Sequence, residues 1–447
     1  MNVAFVCTGE FEPWIYDFIS RELEANGHRT YYAAFNLNAR SAVKSINRPC
    51  YPDKLIRASY KNRQDPESSL FNRGELDEIM KYDYLRLQKN GSNQIKNRLK
   101  ARAFYYEKFF RDFYRKHNIE AVVVWNYFPM MVHVAWRIAR KMDLKTVFFE
   151  NGPLRHTLMI DNKGVNHQGS LTGNTRGFYQ QITVDTQIWK DYFTLYKKPL
   201  EFPEMKNKGI MSLFEKLYYA LLMRNCFYRK MQPDLTADGI GRSIYKKLYT
   251  KYVLKEESCA LPEKFVFIPL QCFSDTQVLI NSPYINSIES FVRITYQAIK
   301  KALPDEYKII VKEHPDDWGR INYHELKKQY PDIIWLKKYN IRSLIKQADL
   351  VITINSSVGI EALMYHKPVV TVGNSFYNIE GIVHHAAMPG DVEAAIKNAL
   401  DKSVNTELID KFLYYLRFKY LVKGSPRYFD EEGVGQMCKR VMELLGE

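Results

Sequence analysis

Four times in the second half of the chain, a short run of β-branched and aromatic residues gives way to a polar cluster. Phe265–Leu270 leads into Gln271-Cys272-Phe273-Ser274-Asp275-Thr276-Gln277, and Tyr307–Lys312 into Glu313-His314-Pro315. Leu350–Ile354 leads into Asn355-Ser356-Ser357-Val358-Gly359-Ile360-Glu361, and Pro368–Val372 into Gly373-Asn374-Ser375. Helix-period stretches lie between them, such as Ile285–Leu303, with Ile288, Phe291, Val292, Ile299 and Ala302 on one face. Strands joined through helices build a doubly wound parallel sheet, and their carboxyl ends share one edge. That edge is where ligands bind, so the four clusters are read together.

The first half repeats the pattern less cleanly. Val3–Cys7 reads as a strand, Thr8-Gly9-Glu10 as its turn, Trp14–Glu24 as a helix and Thr30–Phe35 as the next strand. After a polar stretch of helices and loops over 38–100, helices Tyr105–Lys116 and Met131–Lys141 flank the strand Ala121–Trp125. Lys145–Phe149 is a further strand, ending in Glu150-Asn151-Gly152. A chain of 447 residues is too long for one core. The expected fold class is α/β with two Rossmann-like lobes: 1–255 with helical insertions, and 256–447 with C-terminal helices. The basic, strand-poor stretch 185–255 marks the region between them.

Composition narrows the classes. Hydrophobic residues at 46% and charged residues at 26% fit a packed globular chain and exclude a disordered one. The six cysteines (Cys7, Cys50, Cys226, Cys259, Cys272, Cys438) include no C-x-x-C pair, so neither a disulfide framework nor a zinc site is expected. No secretory leader is read at the N-terminus. The most apolar window, Ala121–Trp136, is broken by Asn126, Pro129 and His133. A cytoplasmic protein is expected. The net charge of +15 suits nucleic acid, an anionic membrane or an anionic substrate. No nucleic-acid recognition motif supports the first. Residues 206–256, with Lys206, Arg224, Arg229 and Lys246 among others, read equally well as a membrane-facing surface and as a solvated basic face.

Each candidate site residue has a structural reading beside its functional one. Asn355, Ser356, Ser357 and Gly359 open a helix after a strand, which presents backbone N–H groups to an anion. A serine there is also an ordinary N-cap. Glu361, one turn on, is placed to accept from a ribose. Pro315 fixes the backbone after His314, a candidate contact for a phosphate or base. Asp275 is the sharpest catalytic candidate, with Gln271 beside it, and a turn cap is its plainer reading. Glu150 ends a strand of the other lobe, and Arg155 has the planar fork that grips a carboxylate. One carboxylate from each lobe suits acid–base or nucleophilic work at a glycosidic carbon. The chain has no G-x-x-x-x-G-K-[ST], H-E-x-x-H or D-x-D, so no metal ligand set is assigned and no cofactor is expected.

Several blocks are similar to one family. Phe149-Glu150-Asn151-Gly152-Pro153-Leu154-Arg155 with Gly164-Val165-Asn166, and Pro269-Leu270-Gln271 with Asp275-Thr276-Gln277, resemble the capsule polysaccharide biosynthesis family of retaining β-Kdo transferases. So do Lys312-Glu313-His314-Pro315, Asn355-Ser356-Ser357-Val358-Gly359 and the stretch Gly373 to His384. The resemblance implies a GT-B architecture, two lobes facing a central cleft, with CMP-Kdo as donor and a surface polysaccharide or glycolipid as acceptor. It implies His314 and Pro315 in the CMP site, Ser356 and Ser357 at the phosphate, and Gln271 beside Asp275. Asp275 would attack the anomeric carbon to form a glycosyl-enzyme adduct, and Glu150 would activate the acceptor. The chain departs from the pattern at Asn151, Pro153 and His156, and at Cys272-Phe273 after the glutamine. Three readings stay open beside it: another CMP-activated ulosonic acid or a different nucleotide sugar as donor, a sugar-nucleotide epimerase on the same fold, and a nucleic-acid binder resting on charge and tyrosine content alone.

Overall fold

The computed structural model describes residues 1–9, 11–35, 37–51, 69–87, 93–197, 257, 259–317, 321–425 and 430–446. The basic stretch 206–256, read above as a membrane-facing surface, lies outside the described residues. The chain divides into two compact units.

The first unit begins with β1 (Asn2–Cys7), β2 (Arg29–Ala34), β3 (Cys50–Tyr51), β4 (Ala121–Trp125), β5 (Lys145–Asn151) and β6 (Thr157–Asp161). β1 to β5 are parallel in the order β3-β2-β1-β4-β5. β6 returns antiparallel beside β5, pairing Glu150 with Met159 and Asn151 with Leu158. Val3, Phe5 and Cys7 pack with Ile15, Tyr16, Ile19 and Leu23 of the helix Glu12–Ala25 in one apolar cluster. Side chains buried at this depth each contribute about 1.5–3 kcal/mol.

The second unit holds β7 (Phe265–Pro269), β8 (Lys308–Lys312), β9 (Ile333–Leu336), β10 (Leu350–Thr353), β11 (Val369–Thr371) and β12 (His384–His385). All six are parallel, in the order β12-β11-β10-β7-β8-β9. The helix Ile288–Ala302 starts at a capping box in which Ser287 and Ser290 satisfy each other's backbone N–H. It buries Ile288, Phe291, Val292, Thr295, Ala298 and Ile299, the stripe expected of a surface helix. In both sheets the strand order reverses between the first and fourth strands of the unit, which makes each doubly wound. The expected α/β class with two Rossmann-like units is thus observed.

The expected division at residue 255 lies outside the described residues. Among the described residues, the second unit takes 171–197 and 257–419, and the first keeps 1–170 and 420–446. The last segment adds β13 (Val422–Lys423) antiparallel to β6. It then forms the helix Glu431–Leu445, capped by Asp430 at one end and left-handed Gly446 at the other. Met437, Cys438, Val441 and Leu445 of this helix complete the first unit's core. The same carboxylate is engaged at Ser170, where the first segment of this unit ends, and at Tyr420, where its last segment opens. Buried Asp161 accepts from the Lys163 amide (2.7 Å), the Ser170 amide (2.9 Å), the Ser170 hydroxyl (2.5 Å) and the Tyr420 hydroxyl (2.7 Å).

Candidate functional site

The four polar clusters follow β11, β10, β7 and β8, which are adjacent in the sheet and parallel. They therefore open on a single edge, centred on the β7/β10 reversal. Across that reversal, the Gln271 side chain donates to Asn355 Oδ1 at 3.0 Å and accepts from the Asn355 amide at 3.1 Å. Asn355 Nδ2 reaches the carbonyls of Gln277 (3.0 Å), Asn374 (3.2 Å) and Asn281 (3.3 Å). Gln271 and Asn355 are both buried. A buried amide joined to this many partners fixes the loops it touches. These two residues are scaffold for the edge as well as part of it.

Asp275 caps the short helix Thr276–Leu279, with Oδ1 accepting from the Gln277 amide at 2.9 Å. The Thr276 hydroxyl donates to the same oxygen at 3.4 Å. Burial raises the Asp275 carboxyl above the ordinary aspartate value; the amide bond and the neighbouring His314 ring offset part of that rise. Gln277 accepts from Asn281 at 2.9 Å, while its own Nε2 is buried with no hydrogen-bond partner among the described residues. A buried donor in that state is a cost that a ligand oxygen relieves.

His314 follows β8, and its Nδ1 accepts from the Asp316 amide at 3.2 Å. Exposed Pro315 begins a single 3-10 turn that ends at fully buried Asp317. Asp317 accepts from the Phe273 amide at 3.0 and 3.2 Å, tying the β8 loop to the β7 loop. Donor atoms of Cys272, His314 and Asp317 lie within 4.8 Å of one another. Burial pushes the Cys272 thiol up to about 11.

Ser356 is an N-cap, its hydroxyl accepting from the Val358 amide at 3.2 Å. Ser357 is exposed, and Glu361 is half-buried one turn on. The Gly359 amide donates to the Ser356 carbonyl at 3.0 Å, so it is engaged inside the turn. A Cβ on Gly359 would fall 2.7 Å from the Tyr377 hydroxyl, which itself donates to the Ser356 carbonyl at 2.6 Å. The glycine is needed here for close packing.

In the first unit, Glu150 and Arg155 flank the tight β5–β6 hairpin. Glu150 Oε2 accepts from Asn126 Nδ2 at 2.8 Å, and Oε1 from the Asn151 amide at 2.8 Å. A Cβ on Gly152 would lie 2.1 Å from Thr157 Oγ1 and 2.8 Å from the Thr157 backbone, so the hairpin closes only on glycine. Arg155 is half-buried, and His156 is left-handed at φ 51°. Sequence reading missed Glu12. This buried carboxylate accepts from the Thr8 amide and hydroxyl and from the Gly9 amide (3.1 Å), at the carboxyl end of β1. Burial raises its carboxyl above the usual range, and those bonds lower it in part. The signal was present as a strand-turn-helix with a glutamate in the first helical turn.

Comparison with known proteins follows the same ground. A family model for capsule polysaccharide biosynthesis proteins matches residues 120–425, more than half the chain. The capsule polysaccharide export protein KpsS of Escherichia coli is 24% identical over 356 residues, 75% of this chain and 88% of that protein. The capsule polysaccharide modification protein LipB of Neisseria meningitidis serogroup A is 26% identical over 303 residues, 62% of this chain and 69% of that one. Among solved structures, the β-Kdo 2,7 transferase of Thermosulfurimonas dismutans KpsC aligns with 84% of this chain and 98% of its own, at 15% identity and a TM-score of 0.36. The UDP-GlcNAc 2-epimerase of Neisseria meningitidis aligns with 100% of this chain and 99% of its own, at 10% identity and a TM-score of 0.32. Among the described residues no helix is long and apolar enough to cross a membrane. The chain belongs to the capsule polysaccharide biosynthesis family.

Proposed function

We propose that this protein is a glycosyltransferase of capsule polysaccharide synthesis, moving Kdo or a related ulosonic acid from a CMP-activated donor to a polysaccharide or glycolipid acceptor. One observation carries the reading: the four polar tips at adjacent strand ends, locked across the reversal by Gln271 and Asn355. Family membership supplies the biological setting. His314 and Pro315 hold the nucleotide, Ser356 and Ser357 the phosphate, and Glu361 the ribose. The unpartnered Gln277 Nε2 takes a donor oxygen.

Asp275 is the nucleophile. Its observed bonds fall on Oδ1, leaving Oδ2 to attack the anomeric carbon. The bond to the CMP phosphate oxygen breaks as the ester forms, and CMP leaves with the electron pair. The acceptor hydroxyl then displaces Asp275, giving its proton to a base, and the second inversion restores the original configuration. Glu150 is that base, and Arg155 binds the sugar carboxylate. Side chains carry every step, so turnover is expected to persist in EDTA. A chain of net charge +15 working on a lipid-linked acceptor fits the inner, anionic face of a membrane.

Calorimetry with CMP, UDP and GDP, followed by intact-mass measurement after incubation with CMP-Kdo, tests the reading. CMP binding tightest, with a mass gain of one sugar on the protein, is the expected result. Selective binding of UDP, with a new sugar isomer formed from a UDP-sugar alone, would replace the transferase by an epimerase.

A further inference from the structure

Cys272 has no part in the reaction drawn above. The cysteine follows Gln271 at the tip of β7, and the fold carries it to the tip of β8. There its sulfur, an imidazole nitrogen of His314 and a carboxylate oxygen of Asp317 lie within 4.8 Å of one another. A tetrahedral zinc ion with bonds of about 2.0–2.3 Å to sulfur, nitrogen and oxygen sets its ligand atoms roughly 3.3–3.8 Å apart. The cluster is thus at most about 1.5 Å wider than a filled site.

The chemistry matches as well as the spacing. Thiolate, imidazole and carboxylate form a mixed set that selects a borderline-soft dication. One thiolate and one carboxylate cancel its charge, which matters where Asp317 is fully buried and Cys272 and His314 are half-buried. Asp317 is already held by the Phe273 amide at 3.0 Å, and its own amide donates to the His314 carbonyl at 3.1 Å. The His314 ring is held more weakly, by the 3.2 Å contact from the Asp316 amide to Nδ1. Ligation has to give up that contact or displace the proton on the other nitrogen.

We propose that Cys272, His314 and Asp317 form a three-ligand site for a thiophilic divalent cation such as zinc, and that filling it withdraws His314 from the nucleotide. On binding, a sulfur–metal bond replaces the S–H bond of Cys272 and the proton passes to solvent. Three protein ligands leave the fourth position to water. The inhibition rests on the donor-site reading; the metal binding does not. Sequence spacing hides the site because its ligands come from two strand ends.

Cobalt(II) added to the 447-residue chain is the probe. Wild type is expected to show thiolate-to-cobalt charge-transfer absorption, lost in Cys272→Ser and kept in Cys438→Ser. No such band in wild type, or a band that survives Cys272→Ser, overturns the site. X-ray absorption on zinc-loaded wild type needs no variant: one sulfur in the shell is expected, and none rejects the assignment. For the consequence, zinc is expected to weaken CMP binding at least tenfold in wild type and to leave it unchanged in Cys272→Ser. Equal CMP affinity with and without bound zinc removes the inhibition. Failure of CMP to bind even in EDTA removes the donor-site reading instead, while the cobalt spectra still decide the metal site.

Discussion

The two sheets reverse their strand order at equivalent places, yet the residues at those places are held in different ways. In the second unit Gln271 and Asn355, 84 positions apart, bond to each other across the reversal, and Asn355 binds three further carbonyls. In the first unit the carboxylates of Glu12 and Glu150 are held largely by residues near them in the chain or on the next strand. An edge tied together by long-range bonds arrives at its geometry with the fold. An edge built from separate local turns can change one turn without disturbing another.

Substitutions on the two edges should therefore fail in different ways. Asp275→Ala is expected to lower transfer at least about 10³-fold, as loss of a nucleophile does, with CMP affinity within about twofold of wild type. Wild-type turnover by that variant would take the nucleophile from the second unit altogether. Glu150→Gln is expected to cut turnover about 10²-fold without changing CMP binding, the range for loss of a general base. A matching loss of CMP affinity would mean that the first edge also serves the donor.

Asn355→Ala tests whether the second edge is tied as described. It removes a shared donor from the Gln277, Asn281 and Asn374 carbonyls and the partner of the Gln271 side chain, and urea unfolding is expected to show a loss of about 2 kcal/mol. A loss under about 1 kcal/mol would erase the contrast between the two edges. His314→Ala is expected to weaken CMP about tenfold, or about 1.4 kcal/mol, by calorimetry. The smallest effect is on stability. The folded-state value of Asp275 is raised, so its ionised form is a burden above that value. Asp275→Asn, an equally good cap, is expected to be the more stable at pH 7. The gain should shrink as pH falls through the raised value and vanish below the ordinary value near about 3.9. A gain independent of pH would point to packing.

Strands buried on both faces write themselves into sequence as continuous apolar runs. β4 accordingly matches the expected Ala121–Trp125 residue for residue. β3, β12 and β13 have two residues each and carry no pattern to read. β6 is hidden in the sequence because its partner, β5, reads as ending at Phe149, whereas the strand continues through Asn151 into a hairpin. The return of the last helix to the first unit is written only in contacts such as Met437 and Val441 against the first core, which no local window contains. At the site, polar residues after strands were visible one by one. Their mutual bonds were not, and neither was the packing reason for Gly359 nor the approach of Cys272 to Asp317.

Asp161 gives the molecule a common moorings point for two separate lengths of chain. Ser170 ends the first segment of the first unit and Tyr420 opens its last, and both hydroxyls rest on that one carboxylate. Burial would raise its proton affinity, but the hydrogen bonds prevail and hold it below the usual aspartate range. The stabilisation is thus complete above the unfolded value and is lost as pH falls through the lower folded one. Acid would then slacken both tethers in the same step, and a pull on either would be felt by the other.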